Sequence, residues 1–138
     1  MTMPSSAIEL QKAIFEALSS DAPLLALLGG QKVFDAAPPN VTYPYVSFGR
    51  TSMFDWSTGT EIGTEQLFTL HVWSKTRGKN ETLEIMATIQ HVLDRGDMAV
   101  DHFALVNMTM EFSEARFDDD LLVHHGMVRY RAVLEPAG

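Results

Sequence analysis

The chain has 138 residues, 46% of them apolar, enough for one buried core and too many for wholesale disorder. Its formal net charge is −8 with only 10 Lys and Arg, which argues against a broad grip on nucleic-acid phosphates and fits a wall that repels DNA. Cysteine is absent, so a disulfide framework, a thiolate zinc site and a cysteine nucleophile are excluded.

Ser5 or Ser6 is placed to cap a first helix that runs to about Ser19, with Glu9 reaching back in a capping box. Ile8, Ile14, Phe15 and Leu18 fall near helical spacing and form its expected apolar face. Asp21 caps a short second helix, Pro23 suits its first turn, and Gly29-Gly30 ends it where positive φ is needed. Leu24, Leu25, Leu27 and Leu28 read as core packing. Val33-Phe34 reads as a short strand broken by Pro38-Pro39-Asn40. Pro44 holds Tyr43 extended ahead of a strand from Tyr45 to Thr51, in which Val46 and Phe48 alternate with Ser47.

From Ser52 to Thr64 the pattern dissolves into a long glycine-containing hairpin loop. The next strand, Gln66 to Ser74, carries Phe68, Leu70 and Val72 on one face and Leu67, Thr69, His71 and Trp73 on the other. One apolar and one mixed face predict a sheet covered by helices on one side. Asn80 is placed to cap a third helix, with Leu83, Ile85, Met86, Ile89, Val92 and Leu93 along its stripe and Gly96 as its stop. Phe103 to Phe112 alternates Val106, Met108, Met110 and Phe112 against Asn107, Thr109 and Glu111. After the turn at Asp118-Asp119-Asp120, Leu122 to Glu135 is the last and longest strand. The order of elements predicts one α+β domain over 1–138, a mainly antiparallel sheet with helices packed on one face. The first residues carry no secretory-signal pattern, and no apolar run approaches the ~18 residues needed to span a bilayer, so no membrane partner is expected.

Catalytic patterns fail on spacing. His124 and His125 are neighbours on a strand and point to opposite faces, so they cannot share a metal. Asp118, Asp119 and Asp120 lack the EF-hand series and read as a solvated acidic turn or a charged rim. No Gly-x-Ser-x-Gly, HExxH, Walker or dinucleotide spacing occurs. The chain is therefore read as a non-enzyme without cofactor or metal. The informative oddity is Met53, Phe54 and Trp56 within the polar 52–64 segment. Each of these large side chains gains on the order of 2–3 kcal/mol by burial, so they fold back onto the sheet or dock on another subunit.

A succession of segments carries a resemblance over nearly the whole chain. Leu24-Leu25-Ala26-Leu27-Leu28-Gly29-Gly30 is followed by Lys32-Val33-Phe34, Ala37-Pro38-Pro39 and Tyr43-Pro44-Tyr45-Val46-Ser47-Phe48-Gly49. Leu70-His71-Val72-Trp73-Ser74, Glu84-Ile85-Met86 and Met127-Val128-Arg129-Tyr130-Arg131 complete it. The succession resembles the tail-completion, or tail-terminator, proteins of long-tailed bacteriophages and phage-like gene transfer agents. The resemblance implies helices against a sheet, no catalytic centre and a hexameric ring of identical subunits. Such a ring caps the tail-tube protein and meets the head connector, or stopper, while DNA passes through without specific binding. It also implies synthesis in a bacterial cytoplasm and assembly at the head–tail junction. Met53, Phe54 and Trp56 are then subunit or partner interface candidates, and Asp118, Asp119 and Asp120 lumen or rim candidates. Two alternatives are another neck protein of the same particle and a small ligand-binding domain with a pocket around His71, Trp73 and Tyr130.

Overall fold

The computed structural model describes residues 4–60 and 62–137. In chain order the elements are α1 (Ser6–Ser19), α2 (Ala22–Leu28), β1 (Val33–Phe34), β2 (Tyr45–Asp55), β3 (Thr64–Ser74), α3 (Asn80–Leu93), β4 (Phe103–Asp118) and β5 (Val123–Pro136). The strands form one sheet in the order β1-β2-β3-β5-β4. The β1–β2 pair is parallel and the others are antiparallel. This is the α+β architecture that the element order predicts.

The helix ends follow local chemistry. Ser5 caps α1, its side chain accepting from the Ile8 N–H at 3.3 Å. Glu9 then lies one position too late for a capping box, and its carboxylate sits 3.5 Å from Lys12 Nζ. Asp21 caps α2 by accepting from the Leu24 N–H at 3.1 Å, and its buried carboxylate also accepts from Arg95 at 3.0 Å. Gly29 closes α2 at φ 79°, a left-handed conformation that glycine adopts without a Cβ penalty. At α3 the structure corrects the expected cap. Lys79 is the N-cap, without a side-chain hydrogen bond, and Asn80 is the first helical residue. The Glu81 carboxylate in the first turn accepts from Ser74 Oγ at 2.6 Å, fastening the helix start to the end of β3.

The core lies between the three helices and one face of the sheet. Val46, Phe68, Leu70, Val72, Val128, Tyr130, Ala132 and Leu134 face Leu10, Ile14, Leu18, Leu24, Leu28, Ile85 and Ile89. Phe68 and Tyr130 stack across β3 and β5 with ring centroids 5.5 Å apart. α3 lies close on the sheet at Gly126, where a Cβ would sit 2.6 Å from Met86 Sδ and 2.7 Å from Thr82 Cγ2. Only glycine permits that approach.

Two helix faces differ from the sequence expectation. Ile8 and Phe15 of α1 and Leu83 of α3 are exposed, while Ala13 and Thr82 are buried in the core-facing positions. Apolar character placed them in the stripe, but position around the helix axis decides burial. The strands also run longer than local patterning indicates. β2 continues through Ser52–Asp55 and β4 through Ser113–Asp118, because each pairs with a neighbouring strand, so β4, with 16 residues, and not β5, with 14, is the longest strand. In β4, extra residues at Val106 and Glu111 interrupt the register. These bulges shift the alternation, so Val106 and Phe112 are exposed while Leu105, Met108 and Met110 pack toward the core.

Candidate interface surfaces

The expected loop from Ser52 to Thr64 is partly strand, a β-hairpin in which β2 runs on to Asp55 and β3 begins at Thr64. Met53 pairs with Gln66 and Phe54 with Glu65, so both belong to β2. Adjacent strand residues point to opposite faces, so Met53 lies on the helix side and Phe54 on the bare side. The tip is internally bonded. Ser57 donates its N–H to Asp55 Oδ1 at 2.9 Å, and Trp56 donates its backbone N–H to Gly63 O at 2.9 Å. The Trp56 ring lies against Gly63, where a Cβ would stand 2.9 Å from Trp56 Cε3. Met53, Phe54 and Trp56 are nonetheless 59%, 51% and 42% exposed. The structure brings them to one corner of the sheet but not onto one surface.

A second apolar surface went unread in the sequence. Ile8 and Phe15 of α1 line a groove of about 550 Å³ with Phe48 and Thr51 of β2, and Lys12 and Asp35 also border it. The helical spacing of Ile8 and Phe15 is visible in the sequence, but spacing alone predicts a core-facing stripe.

The acidic turn lies at the opposite end of the sheet, at the β4–β5 tip. Asp118 Oδ1 accepts from the Asp120 and Leu121 N–H groups at 3.0 and 2.9 Å. Asp118 is therefore a turn-forming residue, and Asp119 and Asp120 are exposed beside it. The next two side chains, Leu121 and Leu122, are 60% and 69% exposed.

The bare face of the sheet is built from alternate residues of β2, β3 and β5. Trp73 stacks on its cross-strand partner His125 with centroids 4.1 Å apart and planes 1° apart. Trp73 Nε1 donates to Ser47 Oγ at 3.0 Å. His71 Nδ1 and His125 Nε2 are 2.7 Å apart, so one of the two nitrogens carries the shared proton. Burial pushes the pKa of both imidazoles down. At His125 the neighbouring His71 and Arg116 push the same way, against Asp118 and Glu114. Gly49 makes room for the His71 ring, which occupies the place of a β2 side chain. Sequence spacing could not reveal this pair, because 54 residues separate its members. Its adjacent histidines behave as expected: His125 is on this face, and His124 contacts Phe117 on the other.

Tyr130 is fully buried on the helix side, so it does not converge with His71 and Trp73. The pocket expected for a ligand-binding domain is absent from that position, since strand alternation separates its three residues. Burial pushes the Tyr130 phenol up, and its oxygen has no hydrogen-bond partner among the described residues. Among these residues no three His, Asp or Glu side chains are grouped to hold a metal ion, and no helix is long and apolar enough to cross a membrane.

The family model described as tail completion protein gp17 matches residues 12–135. The chain belongs to that family. Among solved structures it is similar to a chain of the virion of a native gene transfer agent particle. The identity is 28% and the TM-score 0.87, over 96% of this chain and 99% of that one. The structure of the bacteriophage SPP1 gp17 protein has the same fold, with a TM-score of 0.67 at 24% identity over 96% and 94% of the two chains. No curated protein matches the sequence. As a tail completion protein, the chain has a structural role in a phage-type tail.

Proposed function

We propose that copies of this tail completion protein close into a ring, hexameric as the family resemblance implies, that caps the tail tube and joins it to the head connector. The observation carrying this reading is the placement of exposed apolar side chains at two diagonally opposite corners of one sheet. Met53, Phe54 and Trp56 lie at the β2–β3 corner, and Leu121 and Leu122 at the β4–β5 corner. Different apolar side chains exposed at opposite corners of a subunit favour head-to-tail association, and such contacts close into rings when the rotation permits. In this arrangement Met53, Phe54 and Trp56 contribute to subunit or tube contacts. The acidic tip lies at the rim of the subunit, and the chain's net charge of −8 lets DNA slide past without sticking. The likeness to a virion chain of a gene transfer agent supports assembly with tail and head proteins in the particle.

Light scattering coupled to size-exclusion chromatography tests the reading, with and without tail tubes of the same particle. Assembly by the wild type and its loss in a Phe54→Ala, Trp56→Ala variant are expected. A wild-type chain that stays monomeric and binds no tail tube sinks the ring. Electron microscopy of particles lacking the protein should show headless tails or tails of uncontrolled length.

A further inference from the structure

On the bare face of the sheet, Arg50 and Ser52 of β2, Leu67 and Thr69 of β3, and Arg129 of β5 line a hollow of about 140 Å³. It is smaller than the roughly 300–1,000 Å³ pockets that hold drug-sized ligands. Its chemistry is that of an oxyanion site: two guanidiniums, two hydroxyls and one apolar wall. Arg131, two residues along β5, is already bound to Glu65 at 2.7 Å. Arg50 and Arg129 have no carboxylate in ion-pair reach among the described residues. Arg129 rests over the Phe112 ring, 5.7 Å from its centroid.

We propose that this hollow is a carboxylate-binding site filled by the β4–β5 tip of a second copy, through Asp119 and Asp120. The inference rests on the ring reading and deepens it. The tip is complementary in both charge and apolar content, since its two exposed carboxylates precede exposed Leu121 and Leu122, and the hollow places Leu67 beside its arginines. Arginine binds carboxylates in a fixed two-point geometry, which sets orientation as well as affinity. The tip is also held ready. Asp118 secures the turn through its side chain, the Leu122 N–H donates to Asp118 O at 2.8 Å, and Leu122 sits at φ 56°, uncommon for a residue with a Cβ. A chain cannot fill its own hollow. Val123, where the tip rejoins the sheet, lies six residues from Arg129 along β5, roughly 20 Å at the rise of a strand.

The chain has no cysteine, so a Ser52→Cys, Asp119→Cys variant carries one engineered pair. Under oxidation, alone and with tail tubes added, it should give a ladder of covalent multimers that reductant collapses. Arg50→Glu with Arg129→Glu should weaken self-association at least tenfold. Mixing that variant with an Asp119→Arg, Asp120→Arg variant should restore pairing. Wild-type association should fall as salt rises. A lysine-reactive crosslinker on the wild type reports self-association independently. Multimers there, with no disulfide ladder and no charge effect, overturn this contact and leave the ring standing. No multimers in either assay overturn the ring and the contact together. Two further results, each without a ladder, overturn the second-copy occupant. Thermal stabilisation by inorganic phosphate that Arg129→Gln removes assigns the hollow to a free anion. Retardation of duplex DNA that the arginine variants abolish assigns it to nucleic acid.

Discussion

The two faces of the sheet are made by the same strands and stabilised by different physics. On the helix side, β3 and β5 present Phe68, Leu70, Val128 and Tyr130 to three helices, and burial is nearly complete. On the bare side the same strands present Trp73, His71, His125 and Arg131, half-buried and held by ring stacking, an imidazole pair and an ion pair. The comparison teaches where change is tolerated. Substitutions on the helix side should act on folding, and substitutions on the bare side on assembly and on the response to pH and salt.

The largest effect is expected at Ile89 of α3. Ile89→Ala leaves a cavity between helix and sheet and should cost about 2–5 kcal/mol in urea denaturation. A cost below ~1 kcal/mol would mean that the helix layer is not the stabilising one. Gly126→Ala should cost about 1–3 kcal/mol, because its methyl group meets Met86 and Thr82. Arg131→Gln breaks a partly exposed bridge to Glu65 and should cost less than ~1 kcal/mol, a difference that a double-mutant cycle can resolve.

The pH effect sharpens the comparison further. The folded-state pKa of His71 and of His125 lies below the ordinary 6.5, so the unfolded chain binds more protons in that interval. Their contribution to stability is therefore complete above about pH 6.5 and is lost as pH falls through the lowered folded values. Thermal melts between pH 7.5 and 5 should show this decline, and a His71→Gln, His125→Gln variant should flatten it. An unchanged slope would show that the pair does not govern the acid response.

Much of the framework was legible in the sequence because its causes are local. Ser5, Asp21 and Gly29 act on backbone groups within four residues, and each does as the sequence indicates. The alternation from Phe68 to Val72 places the right residues inside, since a strand's period of two needs no distant information. The two sides of β5 from Val128 to Ala132 separate in the same way, while Val133 is buried on the opposite side. Met53, Phe54 and Trp56 stand out in the sequence as apolar residues in a polar segment, but their exposure and their distribution over two faces depend on the pairing of Met53 with Gln66.

The sequence by itself determined the caps of α1 and α2, the one-sided sheet, the absence of cysteine chemistry and the acidic tip. Only the tertiary structure decided the bulges of β4, the exposure of Ile8 and Phe15, the His71–His125 pair and the hollow between Arg50 and Arg129. The physical reason is range. A cap or a period of two is settled within a few residues, whereas a bulge, a buried helix face or a cross-strand pair exists only once distant segments are brought into register.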